Sequence, residues 1–233
     1  MAAALLFGSD VKLLNDVRRN LDVIVGGDAL HAASAALAAS KGRTDPRLAL
    51  ARVLAPLAGD YDMVLIDCPP GNEALQSAAI TAARWALVPS KADEGTARGL
   101  TEIARRLDQV IDVNPDLDLL GVVLFDVENQ ATNVRENARR MIAEVIGTRA
   151  AIFDAVIRHS SSVAQQARGR GLLVHELDEA ARRQPEWWQI RRGVVAAGEL
   201  VTRTAASVAD DLHALTTQLV TRLNDRENQE ASA

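Results

Sequence analysis

Cysteine is almost missing from this 233-residue chain, which carries Cys68 alone. That excludes an intrachain disulfide and fits a reducing compartment. A single thiol also invites a nucleophile reading, but between an aspartate and two prolines Cys68 reads first as a small buried residue. Aromatic residues make up only 3% of the chain, against 48% hydrophobic residues rich in alanine. Such a composition favours helices covering a modest sheet. No apolar run reaches the ~18 residues of a membrane-spanning helix. The opening MAAALLFGSD has neither a basic start nor a full apolar stretch, so a signal peptide is not expected. A net charge of −5 excludes a polycation, so contact with nucleic acid requires a local basic face. His31, His175 and His213 show no metal-ligand spacing.

What is present alternates between short apolar runs and helical patterns. Strands are expected at LDVIV (21–25), MVLI (63–66), WALVPS (85–90), LDLLGVVLF (117–125), AIFDAVI (151–157) and LLV (172–174). Helices are expected in DALHAASAALAAS, in DPRLALARVLAPLA (45–58) with Asp45 as N-cap and Pro46 at the first helical position, and over 94–113. Further helices are expected over 131–147, closed by Gly147, and along an apolar stripe in 191–223 that docks on the domain or on a second copy. Alternation of this kind predicts βαβ units, hence an α/β fold with a mostly parallel sheet and helices on both faces. The last ten residues, NDRENQEASA (224–233), read as a disordered polar tail. There is no internal repeat.

The stretch YDMVLIDCPPGN (61–72) is the most informative. A continuous apolar strand, as one buried on both faces should be, stops on Asp67, and Pro69, Pro70 and Gly71 break the chain at once. In parallel sheets ligands bind beyond the carboxyl ends of the strands. Two readings are open: a carboxylate facing a metal–phosphate group, or an ordinary strand end followed by a turn.

The longer segment YDMVLIDCPPGNEALQSAAITAARWALVPSKADEGTARGLTEI resembles the ParA/MinD (Soj-like) family of partition ATPases, whose members commonly read Tyr-Asp-x-Val-Leu-Ile-Asp-Cys-Pro-Pro here. Val88–Pro89 and Gly99–Leu100 match the strand and helix that follow, and the likeness extends over about residues 5–180. The resemblance implies a P-loop NTPase-like α/β domain over 1–180, with a basic, Trp-bearing helical extension (181–223) and the tail (224–233) beyond it. It implies ATP and magnesium as cofactors, with Asp67 holding Mg2+ through water and Cys68, Pro69, Pro70 and Gly71 responding to the γ-phosphate. It puts Phe125, Asp126, Arg158 and His159 at the base pocket. For Phe125, core packing is the alternative; for His159, a solvated loop position.

The family's opening strand, its Lys-Gly-Gly-x-Gly-Lys-Thr phosphate loop and its switch aspartate have no counterpart here, and no catalytic residue is assigned. The chain reads as the back three-quarters of such an ATPase, through a misassigned start, a truncated gene or degeneration. Loss of a central strand would leave unpaired backbone groups. ATP hydrolysis by this chain alone is accordingly not expected.

Residues 158–203 hold eight Arg against five acidic residues, a local +3. By resemblance, Arg158, Arg168 and Arg170, joined by Arg191 and Arg192 beside Trp187 and Trp188, would bind DNA nonspecifically; a solvated helix face is the plainer alternative. The family reading implies a homodimer on nucleoid DNA in the cytoplasm and a centromere-binding ParB-type partner. The competing reading is a non-catalytic scaffold that binds DNA or a partner. A membrane-cycling MinD-like role ranks low, because the C-terminal end is polar and acidic.

Overall fold

The computed structural model describes residues 1–39, 45–68, 71–93, 95–128, 132–185, 191–192 and 200–232. Trp187, Trp188, Pro69 and Pro70 lie outside the described residues. The chain divides into two compact units, residues 1–86 with 102–119, and residues 87–101 with 120–233.

In the first unit, α1 (Ala2–Phe7) precedes a hairpin of β1 (Leu13–Arg18) and β2 (Leu21–Ile24), paired antiparallel. The expected strand at 21–25 thus forms, but in a hairpin apart from the main sheet. Asn20 supplies the turn with φ +58, a left-handed angle that Asn tolerates. Next come α2 (Ala29–Ala39), a 3-10 turn (Pro46–Leu48) running into α3 (Ala49–Leu54), and α4 (Glu73–Ala82). Asp45 caps as expected, accepting the Arg47 amide at 2.8 Å. Asn72 caps α4 by accepting the Leu75 amide at 3.2 Å. Leu5, Leu37, Ala49, Leu50, Ala78 and Ala79 form the core of this unit.

The run MVLI is where sequence and structure part. Residues 63–66 lie in no strand; Met63, Val64 and Leu65 are exposed, Leu65 at 82%. A strand exists only through hydrogen bonds to a neighbour. β1 and β2 pair with each other, and none of the described strands pairs with 63–66. Apolar character without a partner strand therefore does not make a sheet strand here.

The second unit centres on a sheet of order β3 (Trp85–Ser90), β4 (Asp118–Val127), β5 (Ile152–Arg158), with β4 and β5 parallel. Its helices are α6 (Thr132–Ile146), α7 (Ser161–Arg170), α8 (Val174–Arg183) and α9 (Ala205–Ala231), while α5 (Thr96–Asp108) begins in this unit and ends in the first. Gly147, just past α6, has φ +76, the left-handed angle that ends helices. LLV (172–174) is not a strand: Leu173 is the N-cap of α8, its amide donating to Glu176 Oε2 at 2.7 Å, and Leu177 is fully buried. The tail is not disordered but continues α9 to Ala231. No Gly or Pro occurs from 201 onward, so nothing in the sequence stops the helix.

α9 lies against β5, a strand at the sheet edge. Gln218 Oε1 accepts the Asp154 and Ala155 amides at 3.1 and 3.2 Å, and Asp211 accepts the Arg158 amide at 3.0 Å. Arg222 donates to the carbonyls of Leu120 and Ala151 at 2.9 and 3.0 Å and lies 3.9 Å from the Phe153 ring centroid. Gly121 makes room for this: a Cβ there would meet the Ala151 oxygen at 2.5 Å and Phe153 at 2.7 Å. Gly121→Ala is expected to lose about 1–3 kcal/mol. Gly99→Ala, on α5 with open space around its Cβ, is expected to be neutral or to gain up to about 1 kcal/mol. Urea unfolding of the two variants beside the parent checks both signs.

Candidate functional site

Three strand ends come together in the second unit. β3 runs out into Lys91, β4 ends through Phe125, Asp126 and Val127, and β5 runs out into His159. The β4–β5 register pairs Phe125 with Ile157 and Val127 with Arg158, so Asp126 is the extra residue of a bulge. Its φ is +59. A bulge of this kind re-aims one side chain out of the alternating pattern. The Asp126 carboxylate takes Lys91 Nζ at 2.6 Å on one oxygen and His159 Nδ1 at 2.5 Å on the other. The His159 amide donates to the Val127 carbonyl at 2.9 Å.

The electrostatics follow from this geometry. Hydrogen bonds from Lys91 and then His159 hold the Asp126 carboxyl below its usual range. The hydrogen bond to Asp126 pushes His159 above its usual value. Lys91 also sits 5.6 Å from the Phe125 ring centroid, within reach of a cation–π contact. Phe125 is half-buried, and so neither wholly core nor freely open. Downstream of Lys91, Thr96 Oγ1 donates to its carbonyl at 2.5 Å and the Gly95 amide donates to Asp93 Oδ1 at 2.9 Å, fixing the loop into α5.

Of the residues expected at the base pocket, Phe125, Asp126 and His159 converge. Arg158 is adjacent in chain but engaged elsewhere: its Nε and Nη2 donate to Asp211 at 2.7 and 2.8 Å, a two-pronged pair that includes a carboxylate with little exposure. Lys91 was not singled out from sequence. Its one signal is a cation directly after an apolar strand that ends in Pro-Ser.

The Asp67 segment belongs to the first unit. Asp67 and Cys68 are exposed, and Gly71 has φ +76 immediately before the Asn72 cap. The Cys68 thiol is pushed up, first by desolvation of the sulfur and then by Asp67; exposed rather than buried, the residue departs from the small-buried expectation. Because 63–66 is not a strand, Asp67 does not stand at a strand end. A lone hard carboxylate suits magnesium held through water, and among the described residues no group of three or more His, Cys, Asp or Glu could hold a metal.

Of the arginines expected to meet DNA besides Arg158, Arg168, Arg170, Arg191 and Arg192 are all exposed. Arg168 and Arg170 lie in the last turn of α7, and Arg170 Nη2 donates to the Leu200 carbonyl at 3.3 Å. Among the described residues, no helix is long and apolar enough to cross a membrane.

Comparison with known proteins bears on this arrangement. A family described as an AAA domain (AAA_31) matches residues 9–119. The chromosome partitioning protein ParA of Caulobacter vibrioides is 31% identical over 121 residues, covering 51% of this chain and 44% of that protein. ParA of Myxococcus xanthus is 28% identical over 127 residues, 53% of this chain and 44% of that protein. An uncharacterised protein of Mycobacterium tuberculosis is 31% identical over 149 residues, 64% and 45% respectively. The chain thus spans less than half the length of these curated relatives. Among solved structures, the Cyanothece McdA(D38A)–ATP complex superposes with TM-score 0.58 at 23% identity, over 71% of this chain and 63% of that one. Cobyrinic acid a,c-diamide synthase of Mycobacterium smegmatis, with bound ADP and magnesium, does so with TM-score 0.57 at 24% identity, over 73% and 72%. These two likenesses concern the fold, a parallel sheet flanked by helices with a long C-terminal helix. Over about half of its length the chain is thus similar in sequence to ParA chromosome partitioning proteins.

Proposed function

We propose that this chain is part of a ParA-type DNA-partition ATPase, which binds ATP with magnesium and nonspecific DNA. The observation that carries the reading is the Asp-Cys-Pro-Pro motif at 67–70, inside residues 9–119, which match the AAA domain family. Asp67 would hold magnesium through a water, and the metal would neutralise phosphate charge. Cys68, Pro69, Pro70 and Gly71 would face the terminal phosphate, and Phe125, Asp126 and His159 the base. The protein would act as a homodimer on the nucleoid, in the cytoplasm, with a centromere-binding ParB-type partner. The domain reading that goes with it is a nucleotide domain over 1–180 and a helical extension beyond.

One observation favours a second reading, a ParA-like scaffold that binds DNA or a partner without hydrolysis. Residues 62–65 are exposed and 63–66 lie in no strand, so the Asp67 carboxylate lacks the rigid strand on which metal placement depends.

Asp67→Ala in the full-length protein separates the two. The partition-ATPase reading expects magnesium-dependent ATP affinity, measured by calorimetry with and without the metal, to fall about 10–100-fold, the usual cost of losing a group that holds a metal's ligand, with an unchanged circular dichroism spectrum. Unchanged magnesium dependence returns Asp67 to an ordinary loop carboxylate.

The DNA face rests on the local +3 of residues 158–203 and on the exposure of Arg168 and Arg170. Phosphate contacts need cations but no base-specific geometry. Replacing Arg168 and Arg170 together by Ala is expected to weaken binding to any duplex equally and to flatten the log–log salt dependence by about one unit for each neutralised phosphate given up. Fluorescence anisotropy on a random duplex across a salt series reads both. Wild-type affinity and slope in the double variant would make this a solvated surface.

A further inference from the structure

Asp126 does more than sit at a strand end. It is the bulged residue of β4, held left-handed at φ +59, and its two oxygens reach Lys91 beyond β3 and His159 beyond β5. One carboxylate therefore joins the ends of all three strands of the sheet. We propose that Lys91, Asp126 and His159 form a proton-sensitive latch that ties the three strand ends together when His159 is protonated and lets them part when it is neutral.

The charges that face the latch are few. Asp126 meets Lys91 and His159. His159 meets Asp126 and Glu128, which favour its protonation, and Lys91, which opposes it. Lys91 meets Asp126 and Asp93. Folding raises the affinity of His159 for its proton, so the charged contact is fully present below the ordinary histidine value of about 6.5. It is lost as pH rises through the raised value. Once His159 is neutral, Lys91 is the one charged partner that Asp126 keeps here, and the contact between Asp126 and His159 loses its ionic part. The left-handed backbone at Asp126, sparsely populated for a residue with a side chain, then has one restraint fewer. The loops leaving β3, β4 and β5 are the segments that gain freedom. Any ligand at this mouth would meet a closed rim at acidic to neutral pH and a looser one at alkaline pH, but the latch itself requires no ligand.

The test uses the nucleotide-free protein. Histidine NMR signals followed from pH 5 to 9 give the His159 midpoint. Amide hydrogen exchange at His159, whose N–H donates to Val127, gives the protection of the β4–β5 end after correction for intrinsic rates. The latch requires a midpoint above the ordinary value and a loss of protection of about threefold across it, the size a surface ion pair supplies. Asp126→Asn should return the midpoint to the ordinary value. Lys91→Met should raise it further, because Lys91 opposes protonation. His159→Gln should remove the pH dependence of protection while leaving the rest of the sheet unchanged. An ordinary midpoint in wild type and Asp126→Asn alike would overturn the latch, as would protection at His159 that does not vary with pH.

Discussion

β5 lies at the edge of the sheet, and the way its open side is satisfied organises the second unit. An edge strand exposes amides and carbonyls that must find partners or pair with another chain. Here the partners are side chains of α9. Asp211, Gln218 and Arg222 fall on one face of that helix, and they bond the amides of Arg158, Asp154 and Ala155 and the carbonyls of Leu120 and Ala151. Burial pushes the Arg222 guanidinium down, with the nearby Arg226 adding to it. It stays in place because two carbonyls and the face of Phe153 receive it.

The consequence reaches the candidate site. Asp211 fixes Arg158, the last residue of β5, through both backbone and guanidinium. His159 is the next residue, and its position against Asp126 is set by where β5 ends. The helix that closes the sheet edge thus also places one side of the sheet mouth. The same pairing engages the Arg158 guanidinium.

Much of this was legible in the sequence. The runs at 85–90, 117–125 and 151–157 became strands because each has neighbours in the sheet. MVLI carries an equally strong apolar signal, yet apolar content reports a wish for burial rather than the presence of a partner, and residues 63–66 have none among the described strands. LLV failed for a different reason: Glu176 reaches back to the Leu173 amide and makes those residues a helix start. The polarity of the tail points to disorder, yet Asn, Asp, Arg, Glu and Gln without Gly or Pro offer a helix nothing to stop on. Phe125, Asp126 and His159 were placed at the site by family likeness. Lys91 came into view only in three dimensions, because its partner lies 35 residues away.

The central claim is that this chain, similar to ParA proteins over about half of its length, binds ATP with magnesium. NMR titration of the isotopically labelled chain with ATP, with and without magnesium, tests it most directly. The account predicts perturbation of Phe125, Asp126 and His159 by the nucleotide, with Asp67, Cys68 and Gly71 responding only when magnesium is present. Spectra unmoved by magnesium and ATP, or perturbation confined to other residues, would contradict it.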